Sequence, residues 1–153
     1  MHQKMHTRKE RPSIMLQPKR TRFRKFQKGR IGGVKPNMQS LSFGSFGIKS
    51  VQAGQVSARV LEAVRRTLSR SFQRTGRIWI RVFPDIAVSR KPTEVRMGKG
   101  KGANAFWMCR VQAGHILFEM DGVSHELAKH ASTLVATKFP FPVRFVSRKD
   151  IPV

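Results

Sequence analysis

Apolar residues recur at helical spacing between residues 57 and 76. The positions on this face are Val60, Leu61, Val64, Leu68 and Phe72. They fall on one side of a helix with 3.6 residues per turn. Ser57 can cap the amino end, and Gly76 can follow the carboxyl end as a C′ residue. The pattern predicts a first helix that runs to about Thr75 and packs its apolar face on the core.

A second helix is predicted from about Ser124 to the residues before the Phe139-Pro140 pair. Its periodic positions are Leu127, Ala131, Leu134, Val135 and Lys138. We expect its apolar stripe to lie in the core, and the stripe indicates no chemistry of its own.

Alternating apolar and polar residues predict strands around the helices. Residues 77–83 alternate Ile78, Ile80 and Val82 with Trp79, Arg81 and Phe83, and the run stops at Pro84. The other predicted strands cover residues 106–111 and 115–120, joined as a hairpin through residues 112–114, and the outer segments 41–51 and 142–146. Most links are too short for a parallel crossover. The sequence therefore predicts an α+β fold, with two helices packed on a mainly antiparallel or mixed sheet.

Charge changes this picture. The 153 residues contain 31 Lys and Arg against 8 Asp and Glu, which gives a formal net charge of +23. The length fits one domain. The positive charge attracts polyanions, so nucleic acid is the first partner to consider. No apolar run reaches the roughly 18–20 residues that a membrane-spanning helix needs. The single cysteine, Cys109, rules out an intrachain disulfide framework.

The basic residues are concentrated at the amino terminus. Residues 1–35 hold twelve Lys and Arg and one acid, Glu10, with little apolar periodicity. This composition predicts a basic arm that is disordered without RNA, followed by a single α+β RNA-binding domain over residues 36–150. The first helix also carries a face of one sign, formed by Arg59, Arg66, Arg70 and Arg74. A solubilising tail and an ordinary solvated helix face are the alternatives to RNA contact.

Candidate catalytic and metal motifs are incomplete. His125 and His130 are five residues apart, so they do not share a helix face as the histidines of a zinc-protease motif do. The run of residues 98–102 is GKGKG, which lacks the spacing of a nucleotide-hydrolysing phosphate loop. We expect it to be a flexible basic loop that approaches a sugar-phosphate chain, with an ordinary turn as the alternative. Cys109 is expected to be an inert buried thiol. The sequence predicts no catalytic residue, metal or cofactor.

Five segments in order resemble a known family. They are MLQPKRTRFRKFQKGR (residues 15–30), SFGSFGIK (42–49), IWIRVFPD (78–85), KPTEVRMGKGKG (91–102) and FEMDG (118–122). Together they are similar to the bacterial-type large-subunit ribosomal protein L-sixteen, over about residues 15–148. The resemblance implies an α+β fold and a structural rather than enzymatic role in translation. It also implies binding of large-subunit rRNA and help in positioning A-site tRNA near the peptidyl-transferase region.

The resemblance implies roles for specific residues of this chain. In the arm, the residues expected to contact rRNA are Lys19, Arg20, Arg22, Arg24, Lys25, Lys28 and Arg30. We add Lys49, Arg81 and the four arginines of the first helix to the expected rRNA contacts. The loop expected to lie near tRNA consists of Arg96, Met97, Gly98, Lys99, Gly100, Lys101 and Gly102. Residues 1–14 precede the usual family start, and residues 105–107 depart from the family pattern.

The expected partners are rRNA, tRNA and neighbouring ribosomal proteins, without a membrane or a homo-oligomer. The lack of tyrosine and the divergence at residues 103–109 favour an organellar ribosome, mitochondrion before plastid, over the bacterial cytoplasm. Two alternatives remain open. A free RNA-binding protein or chaperone would use the same charge. An enzyme acting on nucleic acid would need its acids gathered, and the candidates are Asp85, Glu94, Glu119 and Asp121.

Overall fold

The computed structural model describes residues 16–33 and 38–148. In chain order its elements are β1 (Phe46–Ser50), β2 (Gly54–Ser57), α1 (Ala58–Ser71), β3 (Arg77–Ile80), β4 (Ile86–Arg90), β5 (Ala103–Val111), β6 (Ile116–Asp121), α2 (His125–Ala136) and β7 (Val143–Ser147). The predicted α+β class is confirmed. The predictions for residues 1–15, 34–37 and 149–150 lie outside the described residues.

The first helix begins where the sequence predicts. The Ser57 hydroxyl accepts a hydrogen bond from the Val60 amide at 3.4 Å, and the predicted stripe faces inward. Leu61, Val64 and Leu68 are fully buried. The helix ends four residues before the predicted Thr75, because Gln73 and Arg74 have left-handed φ values of 49° and 66°. Such values interrupt the α-helical backbone.

The second helix is also capped as predicted. The Ser124 hydroxyl accepts from the Leu127 amide at 3.4 Å. Ala131 and Val135 are fully buried, and α2 packs against α1. The prediction that Leu134 lies in the core is wrong, since this side chain is 45% exposed. The inner face of α2 is instead completed by small residues, including Ala128.

Two antiparallel sheets replace the single predicted sheet. The four-stranded sheet has the order β3-β6-β1-β7, and the three-stranded sheet has the order β2-β5-β4. The predicted hairpin of β5 and β6 is wrong, because the two strands belong to different sheets. At their junction the Gly114 amide donates to the Ser50 carbonyl, and the Ser50 amide donates to the His115 carbonyl, both at 2.8 Å. These bonds tie the connection to the end of β1 and direct the chain into the other sheet.

Three other strand predictions need correction. The predicted outer segment 41–51 yields β1, which lies between β6 and β7 inside its sheet. The strand predicted over residues 77–83 ends at Ile80, although the Arg81 amide still donates to Leu117 at 2.9 Å. Strands β2 and β4 were not predicted. The prediction that the last strand, β7, lies at an edge is confirmed.

The main core lies where α1 and α2 meet the inner strands. Ile48 of β1, Phe118 of β6 and Leu68 of α1 are fully buried in the same cluster. Phe139, after α2, packs edge-on against Phe118 with ring centroids 6.3 Å apart. This core holds α1 so that its arginine face lies outward.

In the described residues, neither helix is long and apolar enough to span a membrane.

Candidate nucleic-acid interface

The arginines of α1 lie outside the core. Arg59, Arg66, Arg70 and Arg74 are all exposed, as the spacing predicts. Arg74 lies beyond the last turn because the helix ends at Ser71. Arg65, whose side chain is half-buried on the same helix, was not predicted as a contact. Its spacing of three residues from Glu62 is the signal that could have found it.

Glu62 organises two of these arginines. Arg65 donates to both carboxylate oxygens of Glu62 at 2.8 Å, and Arg66 donates to one of them at 2.8 Å. The hydrogen bond from Arg65 lowers the pKa of the Glu62 carboxyl, against the opposing effect of burial, with Arg66 lowering it further. The ionised carboxylate therefore fixes two guanidinium groups side by side.

The carboxyl end of α1 forms a groove with a volume of about 430 Å³. Its lining residues are Arg65, Arg66, Ser69, Arg70, Gln73 and Arg74. We call it the arginine groove. A helix carboxyl end carries partial negative charge, which stabilises nearby cations. Four guanidinium groups around one concave surface can donate many hydrogen bonds, and phosphate oxygens are acceptors of the matching geometry.

The described part of the arm, residues 16–33, contains no helix or strand. All seven of its predicted rRNA contacts, from Lys19 to Arg30, are exposed. One side chain of β5 and one just after it hold the segment. Arg110 of β5 donates to the Gln27 carbonyl at 3.0 Å, and Gln112 donates to the Gly32 carbonyl at 2.8 Å. The Arg110 guanidinium also lies 5.8 Å from the centre of the Phe26 ring. The arm thus follows β5 with its cations outward.

The glycine-lysine loop consists of residues 96–102, of which residues 96–101 are exposed. Gly98, Lys99 and Gly100 all have positive φ, at 90°, 53° and 79°, and glycine adopts such values without steric cost at the two positions that flank Lys99. At Gly102 the absence of a side chain permits a close backbone approach, since an added Cβ would lie 2.6 Å from the Arg90 carbonyl oxygen. Met97 is 98% exposed. The loop therefore presents an unshielded surface while its base lies tightly against the body.

The arm and the loop contact each other. Lys25 donates through Nζ to the Lys101 carbonyl at 2.5 Å, and Lys101 donates through Nζ to the Phe26 carbonyl at 2.7 Å. We call these two side chains the arm–loop pair. At the other end of the loop, Lys91 donates to the Gly98 carbonyl. Lys99 forms no hydrogen bond or ion pair with any residue that the structure describes. The two loop lysines are therefore not equivalent.

Arg81 and Lys49 lie on strands or their extensions. Arg81 forms an ion pair with the buried Glu119, and its guanidinium lies 5.1 Å from the centre of the Phe43 ring. This internal partner was not anticipated, and contact between Arg81 and rRNA stays a prediction. Lys49 is half-buried on β1, and its contact with rRNA also stays a prediction.

The residues considered as candidates for catalysis or metal binding make packing contacts or hydrogen bonds within the fold. Cys109 is buried, as predicted, and burial raises the pKa of its thiol to about 11. The His125 ring packs edge-on against Phe46 and Phe145, with centroids 5.7 and 5.4 Å away. Among the candidate acids, Asp121 accepts a hydrogen bond from the Ser45 hydroxyl at 2.7 Å. In residues 16–33 and 38–148, no group of three His, Cys, Asp or Glu side chains is placed to hold a metal ion.

Comparison with known proteins identifies relatives of this chain. The family model described as ribosomal protein L16p/L10e matches residues 18–146. Large ribosomal subunit protein uL16m of Prototheca wickerhamii is 60% identical over 132 residues, which cover 86% of this chain and 98% of the relative. Large ribosomal subunit protein uL16 of Xanthobacter autotrophicus is 58% identical over 134 residues, covering 88% and 98%. The exposed arginine face, arm residues 18–35 and the glycine-lysine loop fall within the matched region, and the chain belongs to the ribosomal protein L16p/L10e family.

Proposed function

We propose that this chain is a structural constituent of the large ribosomal subunit and that it binds large-subunit rRNA. Its relatives are named as large ribosomal subunit proteins, and their similarity extends over 98% of their length. The family is one of ribosomal structural proteins, so the chain is not an enzyme. Neighbouring ribosomal proteins are its other partners, and no homo-oligomer is needed for this role.

The arginine groove is the observation that carries the rRNA assignment. Glu62 is the one acid of α1, and its carboxylate already accepts from Arg65 and Arg66. The exposed guanidinium groups of Arg70 and Arg74 extend the same surface away from that acid. A surface with this excess of cations is best satisfied by several phosphates at once, because their counterions are released on binding. The arm extends the contact to a second side of the domain.

The glycine-lysine loop supports a second contact, with tRNA near the A site. Its exposed tip has positive φ at three successive residues, Gly98 to Gly100, and offers backbone amides as well as the Lys99 ammonium. Ammonium groups on flexible stems lack the fixed fork of arginine. They suit a partner that arrives and leaves, whereas α1 suits a permanent anchor.

We propose an organellar ribosome, mitochondrion before plastid, as the location. The uL16m relative, a mitochondrial protein, supports this choice at 60% identity. The bacterial uL16 of Xanthobacter autotrophicus is nearly as similar, at 58%. Immunogold labelling or fractionation of the source cells separates these locations, and protein confined to cytoplasmic ribosomes would contradict the organellar assignment.

A gradient experiment combined with one arginine variant tests the rRNA assignment. The full chain should sediment with large subunits. Arg70→Ala should weaken binding to large-subunit rRNA at every sequence tested and should make the plot of log affinity against log salt shallower by up to about one unit per lost phosphate contact.

Leu68→Ala is the matched control, because Leu68 lies two residues from Arg70 but is fully buried. It should lower the free energy of unfolding by roughly 2–5 kcal/mol and leave the salt slope of the folded fraction unchanged. The rRNA assignment is wrong if Arg70→Ala changes stability while affinity and salt slope stay as in the parent protein.

A further inference from the structure

A second groove lies between α1 and the first half of β5. Strand β2 pairs with β5 only from Met108 to Val111, whereas β4 pairs along the opposite edge from Ala103 to Met108. Among the residues that the structure describes, the edge of β5 before Met108 therefore has no strand partner on the β2 side. The resulting space, which we call the β5–α1 groove, has a volume of about 650 Å³, within the size range of small-molecule sites.

The walls of this groove combine aromatic surface with positive charge. Phe106, 37% exposed, and the half-buried Trp107 line it from β5. Arg59 and Arg66 line it from α1, and Lys138 lines it from the segment after α2. These are the two components that proteins use to hold single-stranded nucleic acid: a ring on which a base stacks and cations for the flanking phosphates.

One acid also reaches the β5–α1 groove. Glu62 lines it, and the hydrogen bond from Arg65 lowers the pKa of its carboxyl, so it stays ionised. Its charge is matched by Arg65 and Arg66, leaving the groove positive overall. The remaining lining residues are Leu16 and Gln17 of the arm, Thr67, Asn104 and the small residues Ala58, Ala63 and Ala105. The short side chains of the alanines leave room for a planar ring.

We propose that the β5–α1 groove binds one unstacked nucleobase of large-subunit rRNA, with the base on the exposed ring of Phe106 and its flanking phosphates on Arg59 and Lys138. The inference rests on the proposed function. An unpaired strand edge also suits an extended peptide, but three cations around an aromatic floor favour a polyanion. Arg59 and Arg66 belong to the anchoring face of α1, which assigns the base to rRNA and not to tRNA.

Tryptophan fluorescence of the full chain provides the test. The chain has two tryptophans, so Trp79→Phe leaves Trp107 as the sole reporter. Trp79 stacks on Phe43 with centroids 6.2 Å apart, and phenylalanine preserves that contact. Single-stranded hexaadenylate should quench Trp107, whereas inorganic polyphosphate of equal charge should bind without quenching.

Variants of Phe106 then separate stacking from charge. Phe106→Ala should weaken binding of hexaadenylate by about 5- to 150-fold with an unchanged salt slope, and Phe106→Leu should do the same while keeping an apolar side chain. Phe106→Tyr should restore affinity. Phe83→Ala is the matched control, because Phe83 is 50% exposed and does not line the groove. It should bind hexaadenylate as the parent does.

Four results would count against the proposal. Equal affinity of Phe106→Ala and parent for hexaadenylate, while polyphosphate still binds, would reject the base site and leave the proposed function intact. Failure of both probes to bind would count against the proposed function itself. Quenching that needs removal of residues 1–15 would mean that the chain covers its own groove. In tRNA-free large subunits, a photocrosslinker at position 106 should label rRNA, and labelling of protein alone would favour a peptide occupant.

Discussion

At the scale of single residues, Glu119 links two parts of the main sheet. It lies on β6 and is fully buried. Its carboxylate accepts hydrogen bonds from the amides of Ser42, Phe43 and Gly44, the last two at 2.6 and 2.8 Å. Arg81 supplies the opposite charge. An added Cβ on Gly44 would lie 2.5 Å from the Met120 carbonyl oxygen, so glycine permits this close approach. One carboxylate thus fixes the chain leading into β1.

These contacts make stability depend on pH. Burial by itself would raise the pKa of the Glu119 carboxyl, but the amide hydrogen bonds from Gly44, Phe43 and Ser42, with that of Arg81, lower it below its usual value. An unfolded glutamate has a pKa of about 4.3. The ionised carboxylate therefore stabilises the fold fully above that pH, and this stabilisation is lost as the pH falls through the lower folded pKa.

We expect Glu119→Gln to lower the free energy of unfolding at pH 7 by roughly 1–3 kcal/mol, since it removes a charged acceptor of several hydrogen bonds. The difference between variant and parent should shrink as the pH falls below about 4. Urea unfolding followed by circular dichroism measures both. Glu94→Gln is the control, because Glu94 is exposed. A difference that stays constant from pH 7 to pH 3 would contradict this account.

The sequence placed Glu119 among candidate acids without revealing its role. The FEMDG segment shows only that an acid stands in an apolar run. Its three amide partners lie 75 to 77 residues away along the chain, and Arg81 lies 38 residues away. Pairing at that separation is decided by the order of strands in the sheet, and a local pattern of apolar and polar residues does not contain that order.

At the scale of elements, helices were predictable because their determinants are local. Ser57 and Ser124 cap α1 and α2 as expected, and the spacing of Leu61, Val64 and Leu68 places the α1 arginines outward. Strand partners were not predictable in the same way. Short apolar runs on either side of Gly114 fit a hairpin equally well. Bonds from the distant Ser50 instead separate β5 and β6 into two sheets.

The two lysines of the glycine-lysine loop should have different effects. Lys99 has no partner among the described residues, whereas Lys101 donates to the Phe26 carbonyl of the arm. We expect Lys99→Ala to leave incorporation into large subunits normal and to reduce A-site tRNA binding. Lys101→Ala should also raise hydrogen exchange of arm amides in assembled subunits. The sequence could not distinguish them, since Phe26 is 75 residues away.

Filter binding of tRNA and hydrogen exchange of assembled subunits measure these effects separately. Lys28→Ala is a useful control for the exchange experiment, because Lys28 is an exposed arm lysine outside the arm–loop pair. If Lys99→Ala subunits bind A-site tRNA as tightly as the parent, the loop is only a turn. If they fail to assemble, Lys99 is an anchor.

At the scale of the whole molecule, the net charge of +23 sets the conditions for folding. The body contains a continuous core cluster that joins both helices to both sheets. The arm contributes mainly cations, and in its described part Leu16 is the residue that packs against this cluster. Repulsion among the arm cations opposes its docking on an equally basic body. Neutralisation by RNA phosphates removes that opposition.

The contacts that hold the arm can be compared with the cost of ordering it. Lys25, Lys101, Arg110 and Gln112 form four hydrogen bonds between arm and body. Exposed bonds of this kind contribute a net of about 0.5–1.5 kcal/mol each. Fixing the backbone costs about 1–2 kcal/mol per residue, and the held segment covers residues 25–32. For these four bonds alone the cost exceeds the gain, and we therefore expect the arm to become ordered only when it binds RNA.

NMR spectra of the isotopically labelled full chain test this conclusion. Without RNA, amides of residues 17–33 should give sharp, poorly dispersed signals, while those of α1 and β6 should be dispersed and protected from exchange. Addition of large-subunit rRNA fragments should remove the sharp arm signals. Arg110→Ala should weaken only the RNA-dependent ordering of the arm, because the Arg110 guanidinium donates a hydrogen bond to the Gln27 carbonyl. Dispersed and protected arm amides in the absence of RNA would show that the four contacts suffice and that the arm is part of the folded domain.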